Sequence, residues 1–89
     1  MIWTISIKGS AAKSLEKITK TDRIRIMEAI DRLKTNPYAG SVLKGEFIGL
    51  RRIRIGRYRV VYEVQEGILM VLVIRIGHRR EVYRPHAGA

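Results

Sequence analysis

Cysteine is absent from the chain, which removes disulfides, thiol nucleophiles and cysteine-ligated zinc together. The histidines, His78 and His86, have no carboxylates at a familiar metal-site spacing, so neither a metal nor another cofactor is expected. Apolar runs are short: the longest, Ile68 to Ile74, has the length of a strand, and no membrane-spanning segment is expected. The opening residues, MIWTISIKG, lack a basic leader followed by an apolar stretch and a cleavage site, so the expected compartment is the cytoplasm. Acidic residues are the other shortage. Eight Asp and Glu face eighteen Lys and Arg, for a net charge of +10, and nine of the twelve arginines lie between Arg51 and Arg84. Charge gathered in this way attracts polyanions, nucleic acid first and an acidic protein next. Arginine over lysine favours planar, bidentate contact with phosphate.

What the chain has in quantity is alternation. Its 89 residues, 46% hydrophobic and 29% charged, suit one globular domain over residues 1–84, with 85–89 as a disordered tail. Ile2 to Ile7 alternates Trp3, Ile5 and Ile7 against Ile2, Thr4 and Ser6, which predicts a first strand. Gly9 and Ser10 open a helix with Ser10 as N-cap and Ala11, Ala12, Leu15 and Ile18 on one side. A second helix starts near Thr21 and Asp22, turns Ile26, Met27, Ile30 and Leu33 inward, and stops at Asn36-Pro37. Tyr38 to Gly49 reads as a loop with a short extended piece around Val42 and Leu43.

The organising stretch is LRRIRIGRYRVVY, Leu50 to Tyr62. Gly56-Arg57 has the glycine-first pattern of a two-residue type II′ turn. Such a hairpin pairs Ile55 with Tyr58, Arg54 with Arg59, Ile53 with Val60 and Arg52 with Val61, so Arg52, Arg54 and Arg59 share a face. Like charges directly opposite across a strand pair are destabilising, and a phosphate site explains them better than a solvated edge. A further turn at Glu66-Gly67 pairs Gln65 with Ile68 and returns ILMVLVIRI as the last strand. Val60, Tyr62 and Val64 then face Val73, Val71 and Leu69, while Met70, Leu72 and Ile74 lie beside Arg59, Val61 and Glu63. A strand apolar on both faces is covered on both. The helices cover one, leaving the other to the tail or a partner protein, unless a bulge exchanges the faces.

Arginines with one histidine, a tyrosine and a few carboxylates suit metal-free RNA cleavage. RNA supplies its own nucleophile, the 2′-hydroxyl, so positioning, charge stabilisation and proton transfer suffice. Arg52, Arg54, Arg59 and Arg79 would stabilise the crowded negative charge on phosphorus. Arginine, with a pKa above ~12, is a poor base. Proton transfer therefore falls to His78, Glu81, Tyr83 or Glu63.

The segments LKG at 43–45, LRRIRIG at 50–56, YRVVY at 58–62 and IGHRREVY at 76–83 together resemble the RelE branch of the RelE/ParE toxin superfamily. The resemblance implies an α+β fold in which two N-terminal helices pack on one face of a small, mainly antiparallel four-stranded sheet, in the order β-α-α-β-β-β. It also implies an mRNA interferase that enters the ribosomal A site, cuts bound message by 2′-hydroxyl attack, and is silenced by a cognate RelB-like antitoxin. On the matching positions Arg59, Arg79 and Tyr83 are the expected catalytic residues, joined by His78 on chemical grounds. Arg52 and Arg54 are the expected phosphate-binding residues, with Arg51, Arg57 and Arg80 beside them. Some RelE enzymes carry lysine where Arg52 and Arg54 stand, and lysine can shift its pKa to move protons whereas arginine cannot readily do so. The alternative reading is a ParE-like inhibitor of DNA gyrase or a basic nucleic-acid-binding module without enzymatic activity.

Overall fold

The computed structural model describes residues 2–78, and their order is strand, two helices, four strands. The first strand, β1, spans Thr4–Ile7. Trp3, Ile5 and Ile7 pack against the core as their alternation requires. The strand starts later than Ile2 because the Trp3 N–H donates to the Lys34 carbonyl (2.8 Å), tying the entry to the helices. Helix α1 covers Gly9–Glu16, with Lys8 rather than Ser10 at the N-cap. Lys8 still donates to the Val73 carbonyl (2.9 Å) while its own carbonyl accepts from Ala12 (2.9 Å), so the chain passes from sheet to helix at that residue. Ser10 lies inside the helix, its carbonyl accepting from the Ser14 hydroxyl at 3.1 Å.

Helix α2 covers Lys20–Arg32, and Ile26, Ala29 and Ile30 are buried on it, with Leu33 following at its C-cap. These positions form one stripe at helical spacing. Met27, expected to point inward, stands 41% exposed, because it falls about 100° around the helix from Ile26. Among the described residues no helix is long and apolar enough to cross a membrane.

The sheet has five strands rather than the expected four, in the order β1-β5-β4-β3-β2. Strand β2, Ser41–Val42, pairs Ser41 with Arg52 and Val42 with Arg51 on β3, Arg51–Ile55. A strand of two residues has no period to read. Strand β4, Tyr58–Gln65, pairs with β3 in the register the turn predicts, from Ile55 with Tyr58 to Arg52 with Val61. Gly56 takes φ 59°, as the glycine-first turn requires.

Strand β5, Met70–His78, runs antiparallel to β4 and parallel to β1. Two features correct its expected register. Glu66–Ile68 form a 3₁₀ turn and Leu69 adopts φ 51°, so Gln65 pairs with Met70 instead of Ile68. A slip of two residues preserves the faces, and Val71 and Val73 stay in the core. A bulge then intervenes: Tyr62 pairs with Val73 but Val61 with Arg75. Ile74 becomes the extra residue, Ile76 takes the inward place at 4% exposure, and Arg75 turns outward.

The core therefore lies between the helices and one sheet face, where Ile26, Ile30, Leu33, Val60, Tyr62, Val71, Val73 and Ile76 meet. On the other face Val61 is also 1% exposed. Phe47, from the 3₁₀ turn Gly45–Phe47 between β2 and β3, reaches this side beside Arg75. The tail expected to cover it lies outside the described residues, as does the expected disorder of 85–89.

Candidate functional site

The face away from the helices is an arginine surface. Alternation along β3 puts Arg52 and Arg54 there, the hairpin register adds Arg59 opposite Arg54, and the bulge adds Arg75 across Val61 from Arg52. Arg54 is exposed, Arg52 and Arg75 are half-buried, and Arg59 is buried at 5% exposure. Glycine, Gly77, pairs with Arg59 from the third strand and brings no side chain to the row. Glu63 sits on the same face one pair beyond Val61 and accepts from the Gln65 amide at 2.7 Å. Arginine directly opposite arginine is unfavourable unless compensated, and an anion laid across the row is one such compensation.

A hydrogen-bonded layer holds this surface in place from behind. The buried Tyr62 hydroxyl donates to the Pro37 carbonyl (2.7 Å) and accepts from the Gly40 N–H (2.9 Å), closing the turn before β2. Burial pushes its phenol pKa up, against smaller lowering effects of the Gly40 bond and the Arg51 charge. A side chain at Gly40 would meet the Arg52 carbonyl and the Tyr62 hydroxyl, each at 2.5 Å, so the turn can approach β3 this closely only as glycine. Arg51 completes the layer: it donates to the carbonyls of Gly40 (2.9 Å) and Tyr38 (3.3 Å), and its guanidinium lies 5.1 Å from the Tyr38 ring centre. The Tyr38 hydroxyl bonds the Glu66 carboxylate, which is the main reason its pKa is raised. Its ring meets Trp3 edge-on at 6.0 Å.

Of the residues singled out from the sequence, Arg52, Arg54 and Arg59 come together as expected. Arg51 does not join them, because it pairs with Tyr62 on the helix side and is engaged by the turn. Arg57 sits exposed in the hairpin turn. His78 is also displaced: it pairs with Tyr58, whose ring it meets edge-on at 6.3 Å, and both lie on the side of Val60 and Ile76, opposite to Arg59. That position on the helix side of the sheet follows from pairing parity beyond the bulge. Arg79, Arg80, Glu81 and Tyr83 lie outside the described residues. Sequence reasoning missed Arg75. Its signal was an arginine at what strict alternation makes a core position, which is itself a reason to suspect a bulge.

The profile of the ParE toxin of type II toxin–antitoxin systems, parDE, matches residues 5–83, and the chain belongs to this family within the RelE/ParE superfamily. It is 28% identical over 86 residues to toxin RelG of Mycobacterium tuberculosis, covering 94% of this chain and 99% of that one. Toxin RelE of the same organism is 32% identical over 82 residues, covering 90% of this chain and 84% of the relative. Among solved structures, the toxin–antitoxin complex RelBE2 of M. tuberculosis superposes with a TM-score of 0.81 at 26% identity, over 89% of this chain and all (100%) of that one.

Proposed function

We propose that this toxin is a ribosome-dependent endoribonuclease that cuts messenger RNA in the A site. The observation that carries this reading is the placement of Arg52, Arg54 and Arg59 on one sheet face, with Arg54 directly opposite Arg59. Attack of the 2′-hydroxyl on the adjacent phosphate breaks the bond to the 5′-oxygen and leaves a cyclic phosphate. The arginines hold the phosphate and neutralise the charge that builds on it in the transition state. Protons must leave the 2′-hydroxyl and reach the 5′-oxygen, and arginine is a poor carrier. With His78 on the far side, these steps fall to Glu63, on the arginine face, and to Glu81 and Tyr83 of the tail, joined there by Arg79 and Arg80 as further phosphate ligands.

The RelE toxin relative and the RelBE2 complex support both parts of the reading, the toxin activity and an antitoxin partner. A net charge of +10 calls for an acidic antitoxin that folds on binding. Induction without antitoxin, followed by primer extension on ribosome-bound message, tests the activity. New 5′ ends within codons are expected. Growth arrest without them would rule the reading out.

A second reading, inhibition of DNA gyrase, is favoured by the ParE description of the matching family. Supercoiling by purified gyrase in the presence of the toxin separates the two, and the nuclease reading expects it to proceed uninhibited.

A further inference from the structure

We infer that the cleft between the end of α2 and the open edge of β3 receives an extended, acidic segment of a partner protein, which continues the sheet in line with β2. The inference gives a place to the antitoxin partner proposed above and does not depend on the nuclease reading. Strand β2 covers only Arg51 and Arg52 of β3, so the edge is open from Ile53 to Ile55. The hairpin decides what that edge offers. With a two-residue turn, the hydrogen-bonded pairs are Ile55 with Tyr58 and then Ile53 with Val60, so the N–H and C=O of Arg54 point outward, away from β4. A donor and acceptor on an open edge are what an added strand pairs with.

The cleft beside this edge has a volume of about 520 Å³. Ala29 of α2, Leu33 at its C-cap and Ile53 of β3 give it an aliphatic floor on the helix side of the sheet. Arg32, Asn36 and Ser41 stand exposed around it, and among the described residues no Asp or Glu lines it. Strand side chains alternate. A segment with carboxylates between apolar residues therefore lays the apolar set on the floor and the carboxylates on the other sheet face, beside the exposed Arg54 side chain, while Arg32 adds a cation from the α2 wall. The chain's own tail has the wrong sign, with Arg79, Arg80 and Arg84 against Glu81, and a second copy of a chain of net charge +10 is repelled likewise. RNA fits less well, because no aromatic side chain on which a base could stack lines the cleft among the described residues. A segment seated there competes with any anion for the Arg54 end of the arginine row.

Titration of the isotope-labelled full chain with a blocked octapeptide that alternates glutamate and valine tests this, read by amide chemical shifts and by anisotropy of a fluorescein-labelled copy of the peptide. The Arg54 amide is expected to shift and to gain protection from hydrogen exchange, as an N–H does on entering a ladder. Peptides N-methylated at alternate amides separate pairing from charge. Methylation in the register that faces β3 is expected to weaken binding about tenfold or more, and in the other register to leave it unchanged, at the same net charge. Arg32→Glu is expected to weaken binding about tenfold. Arg25→Gln, on the exposed side of α2 beside Asp22, serves as the control and leaves binding unchanged. Thermal melts establish that each variant is folded. Equal binding by both methylated peptides, or an Arg54 amide that does not move, overturns the proposal. So does octauridylate shifting the same amides where the peptide does not, which would assign the cleft to RNA. An antitoxin that copurifies with the chain while the peptide fails leaves the antitoxin partner standing and removes only its place on β3.

Discussion

At the scale of single residues, Tyr62 does more for the site than any arginine's neighbour along the chain suggests. Its hydroxyl satisfies the Pro37 carbonyl and the Gly40 N–H, and through that turn it fixes where β2 meets Arg52. Tyr62→Phe leaves both backbone groups without this partner in a buried place, and a loss of about 1–3 kcal/mol is expected by urea denaturation. The pH dependence follows from the raised phenol pKa. Above pH ~10 the unfolded chain releases this proton while the folded chain keeps it, so the unfolded state binds fewer protons and stability falls as pH rises. The contribution is fully present below pH ~10 and is lost as pH climbs through the raised folded value. Tyr62→Phe should flatten this alkaline loss. Equal slopes for parent and variant would remove Tyr62 from this role.

Among the elements, the β3–β4 hairpin was legible and β5 was not, for reasons that lie in how each encodes its register. Alternating Arg and Ile on one side of Gly56-Arg57 and Arg, Val and Tyr on the other leave one pairing that keeps the apolar residues together. The return of β5 depends instead on a 3₁₀ turn and a bulge, neither of which has a period. Consequently Ile76 and Arg75 exchanged the places that simple alternation assigns, and His78 went with Ile76 to the helix side. Strand β2 was too short to read beyond an extended piece near Val42, and its position is set by Tyr62, which lies more than twenty residues on in the chain. The helices were legible from their buried stripes, apart from Met27 at the stripe's edge and the first cap. The hairpin's dependence on its turn can be measured. Gly56→Ala forces a side chain into φ 59° and should destabilise the protein by about 1–2 kcal/mol. A variant with unchanged stability would mean that the turn relaxes to another type.

For the whole molecule, the sheet divides the chain's two tasks between its faces. The helix side holds the core, and the other side concentrates like charge where cross-strand pairing makes it unfavourable. A surface arranged for stability alone would mix its charges. Arg54→Gln should therefore hold or raise stability, by ~0.2–1 kcal/mol, while weakening RNA binding. Loss of stability with intact binding would point to a structural role for the row. The central claim is that this row does chemistry on RNA, and Arg59, buried at 5% exposure opposite Arg54, tests it most directly. The decisive measurement is single-turnover cleavage of message on programmed ribosomes, comparing the parent toxin with a folded Arg59→Gln variant at saturating toxin. A fall of about 10²–10³ in the cleavage rate is expected for removal of a transition-state charge partner. Cleavage by the variant at the parental rate would contradict the assignment.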